Sequence, residues 1–138
     1  MDPNELRDLL LDYPAVTEEQ PFGPDVIVYK VLGKMYALSA YESPLTVNLK
    51  CEPDYALELR NQFEAVNPGF HMNKKHWNTV TIDGSIPKET IQELIQHSYN
   101  QVVKGMTKKD QRKVKEMSKK TDLSNQDWRK EFLRDISE

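Results

Sequence analysis

The sequence predicts an α+β fold: a two-layer αβββαββα arrangement in which a mostly antiparallel five-stranded sheet carries its helices on one face. Three observations lead there. Segments of helical period alternate with short runs rich in β-branched residues, in that order along the chain. The run Leu45–Lys50 alternates, with Leu45, Val47 and Leu49 on one side and Thr46, Asn48 and Lys50 on the other, as in a sheet covered on one face only. A chain of 138 residues, 38% hydrophobic and 30% charged, has the composition of a soluble globular protein and can bury one core without disulfides or a structural metal.

Asp2-Pro3-Asn4-Glu5 supplies an N-cap, a proline at the first helical position and an acid at the third. Leu6, Leu9, Leu10 and Tyr13 then recur at helical spacing, so a first amphipathic helix ends before Pro14. Three strands are expected over Val26–Leu32, Lys34–Tyr41 and Leu45–Lys50, broken at Gly33 and Pro44. Pro53 opens a second helix marked by Ala56, Leu59 and Phe63, which stops before Asn67-Pro68-Gly69. Phe70–Asn73 and Trp77–Ile82 are expected as two further strands, joined in a hairpin whose tip is Lys74-Lys75-His76. Pro87 opens a third helix with Ile91, Leu94, Ile95, Ser98 and Val102 on its buried stripe, ending at Gly105.

This places a domain over residues 1–105 and a C-terminal helical extension over 106–138. Within the extension, Thr107 with Asp110 and Ser124 with Asp127 have the spacing of helix starts. The first of these helices offers a core only Val114 and Met117. The second carries Trp128, Phe132 and Ile136 in a narrow apolar stripe that needs something to dock on.

Charge is uneven. The 19 Lys and Arg against 22 Asp and Glu give −3 overall, yet residues 1–22 hold −5 and residues 104–120 hold +6. A polyanion would be repelled weakly at long range, so any nucleic-acid contact has to rest on a local patch. One cysteine, Cys51, excludes an internal disulfide. No apolar run approaches the roughly 20 residues of a membrane helix, and the acidic N-terminus is unlike a signal peptide, so a cytoplasmic protein with no membrane partner is expected.

Several motifs together carry a resemblance: Pro21-Phe22-Gly23-Pro24, Lys30-Val31, Gly33-Lys34-Met35, Asn48-Leu49-Lys50-Cys51, the run Gly69-Phe70-His71-Met72-Asn73-Lys74-Lys75-His76-Trp77-Asn78-Thr79-Val80, and His97-Ser98-Tyr99. Over residues 3–109 the sequence resembles the MmcQ/YjbR family of small bacterial proteins. That resemblance implies a fold similar to the bacterial frataxin CyaY and to type III secretion chaperones, and a DNA-binding role of the double-wing type.

With Leu45, Val47, Leu49, Phe70, Met72, Val80 and Ile82 facing the helices, alternation puts Thr46, Asn48, Lys50, His71, Asn73, Trp77, Thr79 and Thr81 on the uncovered face. Amides, hydroxyls, cations and an indole are what phosphate and base contacts use. The candidate nucleic-acid-binding residues are therefore Lys50, His71, Asn73, Lys74, Lys75, His76 and Trp77, with the lysine pair as a wing tip. Arg60, Lys30 and Lys34 are secondary candidates. The contact gains if the hairpin tip and the basic run Lys108–Lys120 lie on one side of the molecule.

Other readings draw on fewer residues. Cys51 and His71 could form a nucleophile and base, but no third orienting residue or oxyanion motif accompanies them, so no enzyme activity is expected. His71, His76 and His97 lack the spacing of a zinc site, and there is no glycine-rich phosphate loop; neither a cofactor nor a resident metal is expected. Resemblance to frataxin points to Glu5, Asp8 and Asp12 as an iron-gathering ridge. The chaperone likeness points to a protein-interaction module, a homodimer using the open sheet face, a strand edge or the Trp128 stripe.

Overall fold

A computed structural model describes residues 1–118. Helix α1 (Pro3–Leu11) is followed by strands β1 (Val16–Glu19), β2 (Val26–Val31), β3 (Lys34–Ala40) and β4 (Thr46–Lys50), helix α2 (Pro53–Gln62), strands β5 (Val66–Pro68) and β6 (Trp77–Thr81), and helix α3 (Lys88–Lys104). The class is the expected α+β one. The sheet has six antiparallel strands rather than five, in the order β1-β2-β3-β4-β6-β5.

The additional strand is β1, which pairs with β2 from Val16 opposite Val31 to Glu19 opposite Val28. Its sequence, Val-Thr-Glu-Glu, is an edge strand's: Val16 packs against the core and the exposed remainder ends in two carboxylates, which discourages further pairing. The other correction concerns the segment after α2. Strand pairing takes Val66–Pro68, not Phe70–Asn73, and residues 69–76 form a long irregular connection to β6. Pro68 and a length of three residues blunt this second sheet edge.

Helix starts follow the local chemistry. The Asp2 carboxylate accepts from the Glu5 N–H at 2.9 Å, and the Glu52 carboxylate accepts from the Asp54 and Tyr55 N–H groups ahead of Pro53. The β2–β3 turn is Leu32-Gly33, both at positive φ (46° and 79°), the geometry whose twist suits a two-residue hairpin.

Buried Leu6 and Leu10 of α1, Ala56 and Leu59 of α2, and Ile91, Leu94, Ile95, Tyr99 and Val102 of α3 pack on Tyr29, Val31, Tyr36, Val47, Leu49 and Val80 of the sheet. The β2–β3 register slips by one residue, leaving Tyr36 as a bulge between the pairs Tyr29–Ala37 and Lys30–Met35. The bulge turns the Tyr36 ring inward. Its hydroxyl donates to the Leu10 carbonyl, and its ring meets Tyr13 and Tyr99 edge-on.

The bulge also interrupts the β3–β4 ladder beyond Ala37 and Leu49. The Ser98 hydroxyl of α3 fills the gap, donating to the Tyr36 carbonyl at 2.5 Å and accepting from the Lys50 N–H at 2.8 Å.

Residues 108–118 are helical, with Thr107 Oγ1 accepting from the Asp110 N–H as the Thr107/Asp110 spacing predicts. Met106 and Val114 are buried in the same core, whereas Met117 is exposed. The Ser124/Asp127 start and the Trp128–Phe132–Ile136 stripe lie outside the described residues.

Because Ser98 satisfies two otherwise unpaired backbone groups, Ser98→Ala is expected to lower unfolding free energy by about 2 kcal/mol. Urea denaturation read by tyrosine fluorescence checks this; a loss under about 0.5 kcal/mol, within the ordinary range for a neutral surface change, would mean the bridge contributes nothing.

Candidate functional site

The face of the sheet away from the helices presents Thr46, Asn48 and Lys50 of β4 opposite Thr81, Thr79 and Trp77 of β6, as the alternation predicts. That face is not left open. The connection 69–76 folds back across it, so Asn48 is only 6% exposed and Thr79 is half-buried.

The contacts form one network. Thr79 Oγ1 donates to Asn48 Oδ1 at 2.6 Å and accepts from the Phe70 N–H at 2.9 Å. Asn48 Nδ2 donates to the Phe70 carbonyl at 3.3 Å and to Met72 Sδ at 3.1 Å. Each end of the Asn48 amide thus has a partner.

The rest of the loop is equally tied. Gly69 donates to the Trp77 carbonyl at 2.8 Å, and a Cβ at Gly69 would sit 2.8 Å from the Trp77 Cβ, so only glycine fits. The Asn73 side chain accepts from the Lys75 N–H, its carbonyl accepts from the His76 N–H, and the His76 carbonyl accepts from the Cys51 N–H at 2.8 Å. From α2, Arg60 Nε donates to Asn78 Oδ1 at 2.7 Å, while its terminal nitrogen donates to the Lys74 and Trp77 carbonyls.

This changes the placement of several candidate residues. Phe70 and Met72, expected to face the helices, do not: Phe70 is 67% exposed and the Met72 sulfur lies over the opposite face. His71, Asn73 and His76 belong to the loop rather than to a strand. The period-2 pattern failed there because the segment bonds to side chains and to distant backbone groups instead of a ladder.

Lys74 and Lys75 are exposed on the loop, as expected of a tip, although Lys74 Nζ also donates to the Gly69 carbonyl at 3.2 Å. Lys50 and Trp77 are half-buried at the same end of the sheet. Among the described residues, no carboxylate pairs with Lys34, Lys50, Lys74 or Lys75; the ion pairs are Arg7–Glu18, Lys30–Glu19 and Lys88–Glu5. Lys30 is thereby occupied, and Arg60, a secondary candidate for phosphate contact, is committed to holding the loop.

The described part of the basic run, residues 104–118, attaches elsewhere. Lys108, Arg112 and Lys115 line an open groove with Tyr13, Tyr99 and Val103. That groove lies along α3, whereas the loop is fixed to β4, β6 and α2 through Asn48, Thr79 and Arg60, so the two basic segments are attached to different elements.

Cys51 is buried at the end of β4, and burial pushes its thiol up to about 11. The imidazole sharing its crevice is His97, not the His71 first paired with it in the sequence. His97 is held below its ordinary value by burial, against a weaker opposing pull from Glu52. Its Nε2 accepts from the Glu52 N–H at 3.1 Å and its ring meets Tyr55 edge-on. Of the acidic ridge on α1, Glu5 is drawn to Lys88 at 3.0 Å. Among the described residues, no three His, Cys, Asp or Glu side chains come together as a metal site, and no helix is long and apolar enough to cross a membrane.

The family model for YjbR matches residues 11–101. The chain belongs to the YjbR family. The long Gly69–Val80 run and the motifs around it are the residues on which that membership was expected. This YjbR-family chain is 37% identical to YbdF of Escherichia coli over 120 residues, covering 83% of the chain and 98% of YbdF. It is 45% identical to YjbR of Escherichia coli over 62 residues, covering 45% of the chain and 52% of that protein. Both relatives are described as uncharacterized. Its fold is similar to the crystal structure of the Deinococcus radiodurans protein DR2400, a DUF419 domain, at a TM-score of 0.76 and 39% identity over 82% of this chain and 87% of that one. A Pseudomonas syringae protein is similar at a TM-score of 0.63 and 26% identity, over 71% of this chain and 96% of that one.

Two outcomes follow from the geometry. Arg60→Ala leaves the buried Asn78 amide oxygen and the Lys74 carbonyl without their arginine donor, and is expected to cost about 2 kcal/mol of unfolding free energy. Denaturant titration measures it.

His97 binds its proton less well folded than unfolded, so its stabilising contribution is present above about pH 6.5 and is lost as pH falls from there through the depressed folded value. The stability difference between pH 7.5 and pH 5.5 is expected to shrink in His97→Gln; an unchanged difference would assign the acid sensitivity to other groups.

Proposed function

We propose that the protein is a non-enzymatic, cytoplasmic DNA-binding protein that contacts the polynucleotide through the loop 69–76 and the adjoining end of the sheet. One observation carries the reading: Lys74 and Lys75 are exposed on a loop whose backbone is fixed by Asn48, Thr79 and Arg60, that loop leads into Trp77 opposite Lys50, and none of the three lysines has a carboxylate partner among the described residues. Cations on a backbone that is already fixed neutralise phosphates with a smaller ordering cost at the moment of binding. His71, Asn73 and His76 on the loop and the half-buried Trp77 beside Lys50 supply the polar and aromatic groups for sugar and base contacts. The family's double-wing description fits one such projecting loop.

The footprint is confined to this end of the sheet. Towards β1, Arg7 and Lys30 are engaged with Glu18 and Glu19, so the cations of that edge are already neutralised and offer little to a phosphate. The non-enzymatic reading is supported by the raised Cys51 thiol, which is a poor nucleophile near neutral pH.

Lys50→Ala with Lys75→Ala is the informative variant, because Lys74 also braces the loop. In fluorescence anisotropy with labelled DNA at several salt concentrations, it is expected to weaken binding and to reduce the slope of log affinity against log salt by about two, near one per lost phosphate contact. Wild-type affinity and slope in that variant would remove the loop from the contact.

A further inference from the structure

We infer that the loop 69–76 is a stacking platform for unpaired bases of a single-stranded polynucleotide, with Phe70 as the ring that meets the base. The inference rests on the same loop's contacting a polynucleotide and narrows the class of substrate.

Exposure of one aromatic ring is not the argument, since isolated apolar side chains are common on surfaces. Phe22 is 70% exposed and carries no such implication. What distinguishes Phe70 is how it is held. Its N–H is bonded to Thr79 Oγ1 and its carbonyl to Asn48 Nδ2, so both sides of its peptide are fixed to the sheet. Any residue but proline could make those backbone bonds, which leaves the phenyl ring unexplained by the fold. The next residue, His71, is at φ 59°, a left-handed conformation that a residue with a Cβ adopts at a cost. That conformation sets the imidazole 4.0 Å from the phenyl ring at an interplanar angle of 53°, both residues facing solvent.

A strained backbone thus presents two rings outward, with Lys74 and Lys75 a few residues along the same loop. Rings that accept a base face beside cations that follow the backbone are the working parts of single-strand binding surfaces. In a duplex the base faces are already stacked on one another, and inserting a ring means unstacking a step at a cost of a few kcal/mol. An unpaired base offers its face without that cost.

Anisotropy with a labelled oligothymidylate, an oligouridylate and a duplex of equal length tests this. Either single strand is expected to bind more tightly than the duplex, and a difference between the two assigns the sugar. Phe70→Ala is expected to weaken single-strand binding five-fold or more, the low end for one lost stack, with the salt slope and the unfolding midpoint unchanged. Phe70→Leu, which keeps bulk but not the π-face, is expected to weaken it as well. Phe22→Ala, at the far end of the sheet, is expected to change nothing. If the Lys50/Lys75 variant weakens binding but Phe70→Ala does not, or if duplex binds as well as single strand, the stacking inference falls and the basic-loop reading stands. If none of the three probes binds, both fall.

Discussion

A carboxamide in the middle of a β-sheet, buried to 6% exposure, costs several kcal/mol unless its oxygen and nitrogen both find partners. Asn48 occupies that position, and the shape of the candidate site follows from how it is satisfied. Thr79 across the ladder takes the oxygen, and the connection 69–76 reaches the nitrogen. The chain therefore leaves the ladder after Pro68 and crosses the sheet. Gly69 is needed where it passes Trp77, and Phe70 and His71 are directed to solvent rather than to a core.

The helix side solves a parallel problem by a different route. The Tyr36 bulge brings a bulky ring inward to join Tyr13 and Tyr99, with the Tyr99 hydroxyl donating to the Pro14 carbonyl at 2.7 Å. The backbone groups freed by the bulge would be unpaired without the Ser98 hydroxyl. Arg60 links the layers, since a guanidinium rooted in α2 reaches Asn78 and the carbonyls of the loop. Packing on one face and polar bonding on the other are thus coupled through a few side chains. Their common effect is to hold Lys74 and Lys75 on a braced support.

Much of this was legible from residue order. Helices α1, α2 and α3 begin where Asp2-Pro3, Pro53 and Pro87 indicate, and the inward sets Val47/Leu49 and Ile91/Leu94/Ile95/Ser98 are the buried ones. Two elements escaped. Val16–Glu19 has a single apolar residue, so β1 exists only because β2 offers it an edge. Phe70–Asn73 alternates like a strand, but its alternation serves solvent and a sheet side chain instead of two sheet faces. Tyr99, absent from the expected stripe, completes the tyrosine cluster because the bulge brings Tyr36 to it.

What the sequence determined by itself is the local chemistry: capped helix starts, the break at Gly33, strands with one apolar face, and a local excess of lysine in an anionic chain. Those depend on residues within a few positions of one another, where spacing and conformational preference are enough. Tertiary structure alone decided that Asn48 and Thr79 capture the loop, that Phe70 points outward, that His97 rather than His71 sits beside Cys51, and that the two basic segments attach to different elements. Each of those is a hydrogen bond or contact between residues distant in the chain, and linear order carries no record of which buried polar group will need which partner.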